Sequence, residues 1–350
     1  MNPYLALFII LGYFGVLMII SWITSRKTDT STFFNANRKS PWFIVAFGMI
    51  GATLSGVTFI SIPGEVGNTA FTYLQFVLGN VVGYWLVAVV LIPLYYKLRL
   101  VSIYSFLEQR LGKYSYKTGS FFFLISKLIG AAFRLYLVAG VLQIAIFDAF
   151  NVPFGITVFV SILLIWIYTY RGGIKTIVWT DTLQTLFLVT AVIFTIVVVS
   201  KSMDWNLKEM FLAIDANPLS DVFTWEWRSG NNFFKQFFAG IFITIVMVGM
   251  DQDMMQKTLT CKNQKDAQKN MLVFSVFFLV ALFLFLCLGA ILYIYANQNG
   301  IQISANSDDL YPLLAMNEFG GVITIVFLLG ITAAAYSSAD SALTALTTSF

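Results

Sequence analysis

Nine apolar windows of membrane-spanning length dominate this sequence. They fall at about 5–24, 43–63, 72–95, 119–147, 153–170, 177–200, 234–250, 271–296 and 320–350. A helix needs about 20 apolar residues to cross a hydrocarbon layer, and each window approaches or exceeds that length. Only 11% of the residues are charged, against about 25% in a soluble domain. In lipid every backbone amide and carbonyl must be answered within its own segment, so the windows are helices. The expectation is an all-α polytopic membrane protein, with one transmembrane transporter domain over residues 1–350.

The charges between the windows give an orientation. Connectors 25–42, 96–118, 171–176 and 251–270 hold Arg26, Lys27, Arg38, Lys39, Lys97, Arg99, Arg110, Lys113, Lys117, Arg171, Lys175, Lys257, Lys262, Lys265 and Lys269, 15 basic residues. Connectors 148–152, 201–233 and 297–319 hold Lys201, Lys208 and Arg228, 3 in all. The positive-inside rule makes the first set cytoplasmic. No basic residue precedes the first window, which differs from a signal peptide. The reading is a multi-pass protein of the plasma (inner) membrane with its N-terminus outside. Trp205, Trp225 and Trp227 in the longest outer connector suit the membrane–water interface, or a lid over a substrate.

The last window changes character along its length. After the apolar run 322–329 come Ile331-Thr-Ala-Ala-Ala-Tyr-Ser-Ser-Ala-Asp-Ser-Ala-Leu-Thr-Ala-Leu346. On a 3.6-residue helix Ala334, Ser337, Ser338 and Ser341 share a face that offers hydroxyl oxygens and little bulk. Such a face packs helices closely, or it holds a hard cation. Asp340 on the same helix is a carboxylate at membrane depth, which calls for a partner or a wet cavity. The second window is also irregular. Gly51, Ser55, Gly56, Pro63 and Gly64 interrupt it, with Thr53 and Thr58 between them. Gly and Pro loosen a helix and free its carbonyls, which then serve a kink or an ion site. Asp181 follows the apolar run 177–179, so it is either a helix cap or a buried ion. Arg134 is a further charge inside a window and suits a buried structural or gating role.

Composition excludes some chemistry. There is no His, and the two cysteines, Cys261 and Cys287, make no disulfide framework. Without His, and without paired acids beside a nucleophile, the chain does not read as an enzyme. The expected partners are the lipid bilayer and a small organic solute, not nucleic acid.

Five motifs in order carry a resemblance. They are Phe106-Leu-Glu-Gln-Arg-Leu-Gly112, Phe133-Arg-Leu-Tyr136, Gly172-Gly-Ile-Lys-Thr-Ile-Val-Trp-Thr-Asp-Thr-Leu-Gln184, Asp251-Gln-Asp-Met-Met-Gln-Lys257 and Ala334-Ala-Tyr-Ser-Ser338. Together they resemble the solute:sodium symporter family, relatives of the sodium–galactose, sodium–proline and sodium–sialic acid symporters. The resemblance implies a leucine-transporter-like inverted-repeat fold with one extra N-terminal helix. The second repeat would be incomplete, because the chain stops within an apolar helix. It then reads as a fragment of a longer protein or a truncated form.

The resemblance also implies sites. One Na⁺, the coupling ion, would be held by the carbonyls of Gly51, Leu54 and Ala334 and the hydroxyls of Ser337 and Ser338. A second Na⁺ is implied at Asp181, Asp340 and Ser341, although Asp340 stands where the sialic acid symporter pattern has a hydroxyl. The alternative there is a site that exchanges Na⁺ for H⁺. Thr58, Gln75 and Asn80 are the polar candidates for solute binding. Val77 stands where the sugar carriers have an acid, which argues against a galactose-type site. The implied function is sodium-coupled symport of a small organic solute by alternating access; proton coupling and a transporter-like sensor module are the alternatives.

Overall fold

The computed structural model describes residues 3–26, 30–100, 102–170 and 173–349. Lys27, Arg171, Gly172 and Phe350, used above for topology, motif and span, lie outside them. Among the described residues the architecture is helical, and the one extended pairing is a bridge between Ser40 and Cys261. We label the principal helices α1 (Pro3–Thr24), α2 (Trp42–Thr53), α3 (Gly56–Thr69), α4 (Tyr73–Leu86), α5 (Lys113–Ala145) and α6 (Phe154–Thr169). They continue with α7 (Gly173–Ser202), α8 (Phe233–Thr244), α9 (Gln252–Leu259), α10 (Gln264–Gln298) and α11 (Gly321–Ser349).

Among the described residues six stretches are long and apolar enough to cross a membrane, or up to seven with a bent pair. One of the six, Gly56–Lys97, is 42 residues long. At 1.5 Å per residue that is roughly 63 Å, about twice a hydrocarbon core. Ala70, at φ 52°, turns the chain between α3 and α4, so two passes share this stretch. The bent pair is Phe233–Gly249 with Gln252–Leu259, which meet at 65°.

Three boundaries depart from the hydropathy windows, each for a physical reason. The second window breaks at Leu54 and Ser55, and α3 runs past Pro63 to Thr69, because Pro inside a helix removes one amide without ending it. Helices α5 and α10 begin within polar sequence, at Lys113 and Gln264, since a helix projecting beyond lipid needs no apolar side chains. Helix α9 lies in what hydropathy reads as a cytoplasmic connector. All eight of its residues are buried, Lys257 among them. Its polar side chains are answered by other helices, which a hydropathy window cannot register.

Burial identifies the centre. In α11, 72% of the most apolar window is enclosed, against 22% in α5, whose Phe121, Phe122, Leu128 and Phe133 face outward as a lipid-exposed surface would. α11 packs along α7, and α7 packs along α2. Gly48 and Gly51 make the α2–α7 approach feasible. A Cβ on Gly51 would stand 2.6 Å from Thr185 Oγ1, and one on Gly48 would stand 3.2 Å from the Thr182 amide. Opposite, Gly79 and Gly240 bring α4 and α8 into backbone contact; a Cβ there would meet Phe237 O at 2.0 Å and Phe76 O at 2.2 Å.

Candidate functional site

The break between α2 and α3 takes their helical amides from the carbonyls of Gly51, Ala52, Thr53 and Leu54. The Ser55 amide answers Thr53 O and Ser338 Oγ reaches Ala52 O, which leaves Gly51 and Leu54. In a continuous helix the amides of Ser55 and Thr58 would answer the carbonyls of Gly51 and Leu54. Instead the Ser55 amide donates to Thr53 O at 3.1 Å, and the Thr58 amide donates to Ser55 Oγ at 3.4 Å. Ser55 is extended (φ −69°, ψ 168°) and caps α3 with its own side chain. The Gly51 and Leu54 carbonyls are thus without their helical partners, in a buried segment where an unanswered carbonyl is costly.

Helix α11 passes directly over this break. Ser338 Oγ donates to Ala334 O at 3.2 Å and reaches Ala52 O at 3.5 Å. Ser337 Oγ donates to Asp181 Oδ1 at 2.6 Å, so its lone pairs remain for another partner. A Cβ on Gly51 would lie 3.3 Å from Ser337 Oγ, which measures how tightly α2 and α11 meet. Gly51 and Ala52 of α2 therefore meet Ser337 and Ser338 of α11, with Leu54 at the break and Ala334 one turn before Ser338. The donors are carbonyl and hydroxyl oxygens, the set a hard, weakly charged cation takes.

The second predicted group, Asp181, Asp340 and Ser341, is also brought together, but around a side chain that the sequence reading assigned to a cytoplasmic connector. Lys257 Nζ lies 2.8 Å from Asp181 Oδ2 and donates to Ser341 Oγ at 2.6 Å. Asp253, one helical turn before Lys257, is 3.7 Å away. Asp340 accepts from Tyr168 OH at 2.8 Å through Oδ2 and from Ser341 Oγ at 3.2 Å through Oδ1. Asp181 lies more than two turns inside α7, so it does not cap that helix. Asp340 pairs with hydroxyls rather than with Arg134.

Thr58 and Asn80 line a cavity of about 370 Å³ with Thr53, Tyr73, Lys127 and Arg134. With its amide oriented so that nitrogen donates, Asn80 also bonds Gly240 O at 3.0 Å, tying α4 to α8. Gln75 is not part of the cavity lining. Its Nε2 donates to Asn231 O at 2.9 Å and its Oε1 accepts from the Thr224 amide at 3.2 Å. Gln75 thus fastens the long 201–233 connector to α4. At the other end of the cavity Lys127 bridges Asp251 at 3.1 Å and Asp253 at 3.0 Å. Arg134, between Lys127 and Thr58 on the wall, makes no ion pair within 4 Å among the described residues.

Sequence reasoning missed Lys257, Tyr168 and Thr185. The signal for Lys257 was present in Asp251-Gln-Asp-Met-Met-Gln-Lys257, where Asp253 and Lys257 at i,i+4 share a face. Nothing local marks Tyr168 or Thr185, whose partners are more than 100 residues away in sequence.

Comparison with known proteins adds ancestry to this geometry. The family model described as the sodium:solute symporter family matches residues 33–350. The chain is 25% identical to the sodium/sialic acid symporter SiaT of Proteus mirabilis, over 98% of this chain and 69% of that protein. It is also 25% identical to the sodium/sialic acid symporter NanT of Aliivibrio fischeri, over 99% and 68%. It is 23% identical to the human sodium/iodide cotransporter, over 88% and 49%. The fold matches a solved outward-open, substrate-bound Na⁺-coupled sialic acid symporter, which is leucine-transporter-like, with a TM-score of 0.88. That match has 23% identity and covers all of this chain and 74% of that one. Sequence, helix order and fold agree over nearly the whole length, and the chain belongs to the sodium:solute symporter family.

Proposed function

We propose that this protein is a Na⁺-coupled symporter that imports a small organic solute by alternating access. Na⁺ is held between α2 and α11 by the carbonyls of Gly51, Leu54 and Ala334 and the hydroxyls of Ser337 and Ser338. One observation carries the reading: of the four carbonyls that lose their helical amides at the α2–α3 break, Gly51 and Leu54 are the two to which no other donor turns among the described residues, and the hydroxyl pair of α11 lies against that break. A bound cation answers both carbonyls at once and pins α2 to α11, which gives Na⁺ a means to bias one conformation over another. The protein resides in a plasma or inner membrane with its N-terminus outside, a reading supported by the distribution of basic residues between connectors.

The solute occupies the cavity walled by Thr58, Asn80 and Tyr73. The lining sets Lys127 and Arg134 against Asp251 and Asp253, and Lys127 is already shared by those two carboxylates. Arg134 is thus the group available to a carboxylate on the solute, which guanidinium binds in bidentate fashion. The names of relatives support an anionic cargo, among them sialic acid, iodide and monocarboxylates. The test is uptake of a panel of radiolabelled carboxylates and their neutral amides into proteoliposomes, with and without a Na⁺ gradient. Na⁺-dependent uptake confined to acids supports the reading. Uptake indifferent to Na⁺ contradicts it, and equal uptake of amides removes the anionic solute.

A further inference from the structure

We infer that Lys257 is a tethered cation filling the position a second Na⁺ would occupy, so that the protein couples solute to a single Na⁺. This inference rests on the Na⁺-coupled reading above and deepens it.

A Na⁺ bound by Asp181 and Ser341 would lie between Asp181 Oδ2 and Ser341 Oγ. Lys257 Nζ is already there, 2.8 Å from the first and 2.6 Å from the second. The first is an ion pair at contact distance and the second a charge-assisted hydrogen bond, so the ammonium occupies the space between the two oxygens. Lys257 and Asp181 are both buried, which leaves no solvent path for Nζ to withdraw along without dragging α9. Two unit charges in one such volume repel strongly at the low dielectric of an interior, so a metal ion cannot join the ammonium there.

Asp181 uses its two oxygens on different partners: Oδ2 faces Lys257, and Oδ1 accepts the proton of Ser337. That proton must point away from a cation for the Ser337 oxygen to act as a ligand. Lys257 therefore holds the carboxylate that orients a hydroxyl of the neighbouring Na⁺ site. It serves there as a positioning residue, and it supplies a fixed positive charge that needs no loading from outside. Asp340 completes the surroundings through Ser341 and Tyr168, and Asp253 stands 3.7 Å from Nζ on its own helix.

The experiment is Na⁺ binding stoichiometry, measured with radiolabelled Na⁺ on purified wild type, Lys257→Met and Lys257→Arg in nanodiscs, with thermal unfolding across a Na⁺ series on the same samples. The expected result is one Na⁺ per wild-type or Lys257→Arg protein and two per Lys257→Met, whose melting temperature climbs more steeply with Na⁺ than the wild type's. Two Na⁺ per wild-type molecule would overturn the inference while leaving Na⁺ coupling intact. So would a Lys257→Met protein that binds a single Na⁺, or one that cannot be recovered folded at high Na⁺, because then Na⁺ does not replace the ammonium. No Na⁺ binding by wild type would instead remove the underlying Na⁺-coupled reading, and with it this one.

Discussion

Two neighbouring clusters in the core handle positive charge in opposite ways. The contact of α2 with α11 offers neutral oxygens from Gly51, Leu54, Ala334, Ser337 and Ser338. The contact of α7, α9 and α11 offers carboxylates, Asp181, Asp253 and Asp340, with an ammonium already among them. Neutral dipoles hold a monovalent ion weakly enough to release it on each cycle. Buried carboxylates without a counterion would be far too costly, so the second cluster carries one on its own chain. On the proposed reading one side exchanges its ion and the other keeps its own, and Asp181 joins the two clusters through Ser337.

Breaking the permanent side should have the largest effect. Asp181→Ala strands Lys257 and frees the Ser337 proton. It is expected to destabilise the fold by about 3–5 kcal/mol, the cost of breaking a buried ion pair. Thermal unfolding in nanodiscs reads this, and Na⁺-dependent uptake should be lost in any folded fraction. Breaking the exchanging side should be milder. Ser337→Ala and Ser338→Ala each remove one oxygen, a loss of about 1–3 kcal/mol. Half-saturating Na⁺ should rise by roughly 5–100-fold, with maximal uptake retained at high Na⁺. Unchanged Na⁺ dependence in both variants would remove the site. The spacing between the clusters can be tested with Gly51→Ala, whose methyl would strike Thr185 Oγ1. Overpacking of this kind costs about 1–3 kcal/mol, and adding Thr185→Ala should recover part of the lost melting temperature. The smallest effect on transport is expected from Gln75→Ala. It should loosen the 201–233 connector, seen as faster amide exchange there, while the solute KM stays within about twofold, under about 0.5 kcal/mol, because Gln75 does not line the solute cavity.

Much of the exchanging side was legible in the sequence, because its parts are local. A run of small and hydroxyl residues in 331–346, and a Gly-rich interruption at 51–56, each announce themselves within one helix. That two partnerless carbonyls lie opposite two hydroxyls still required the fold. In the sequence Gly51 figures as a helix interruption and a carbonyl ligand. In the structure its missing side chain is what admits Thr185 and brings α7 against α2. The permanent side was half legible. Asp181 and Asp340 stood out as carboxylates in apolar runs, but Lys257 sat in polar sequence and was read as a solvated charge. Hydropathy records what a residue prefers and not what surrounds it, so a helix such as α9, polar yet wholly enclosed, is invisible to it. Gln75 failed the other way: a polar residue in an apolar run suggested solute, and the structure gives it two backbone partners instead.

The proposed transport turns on a Na⁺ bridge between the α2–α3 break and the α11 hydroxyls that drives solute entry. The most direct measurement is solute uptake by proteoliposomes at fixed pH and membrane potential, titrated with Na⁺ for wild type and Ser338→Ala. The account predicts no concentrative uptake without Na⁺, a Hill coefficient near about 1 for a single ion per cycle, and a rightward shift in Ser338→Ala of roughly 5–100-fold. Concentrative uptake that persists without Na⁺, or a titration that Ser338→Ala leaves in place, would contradict it.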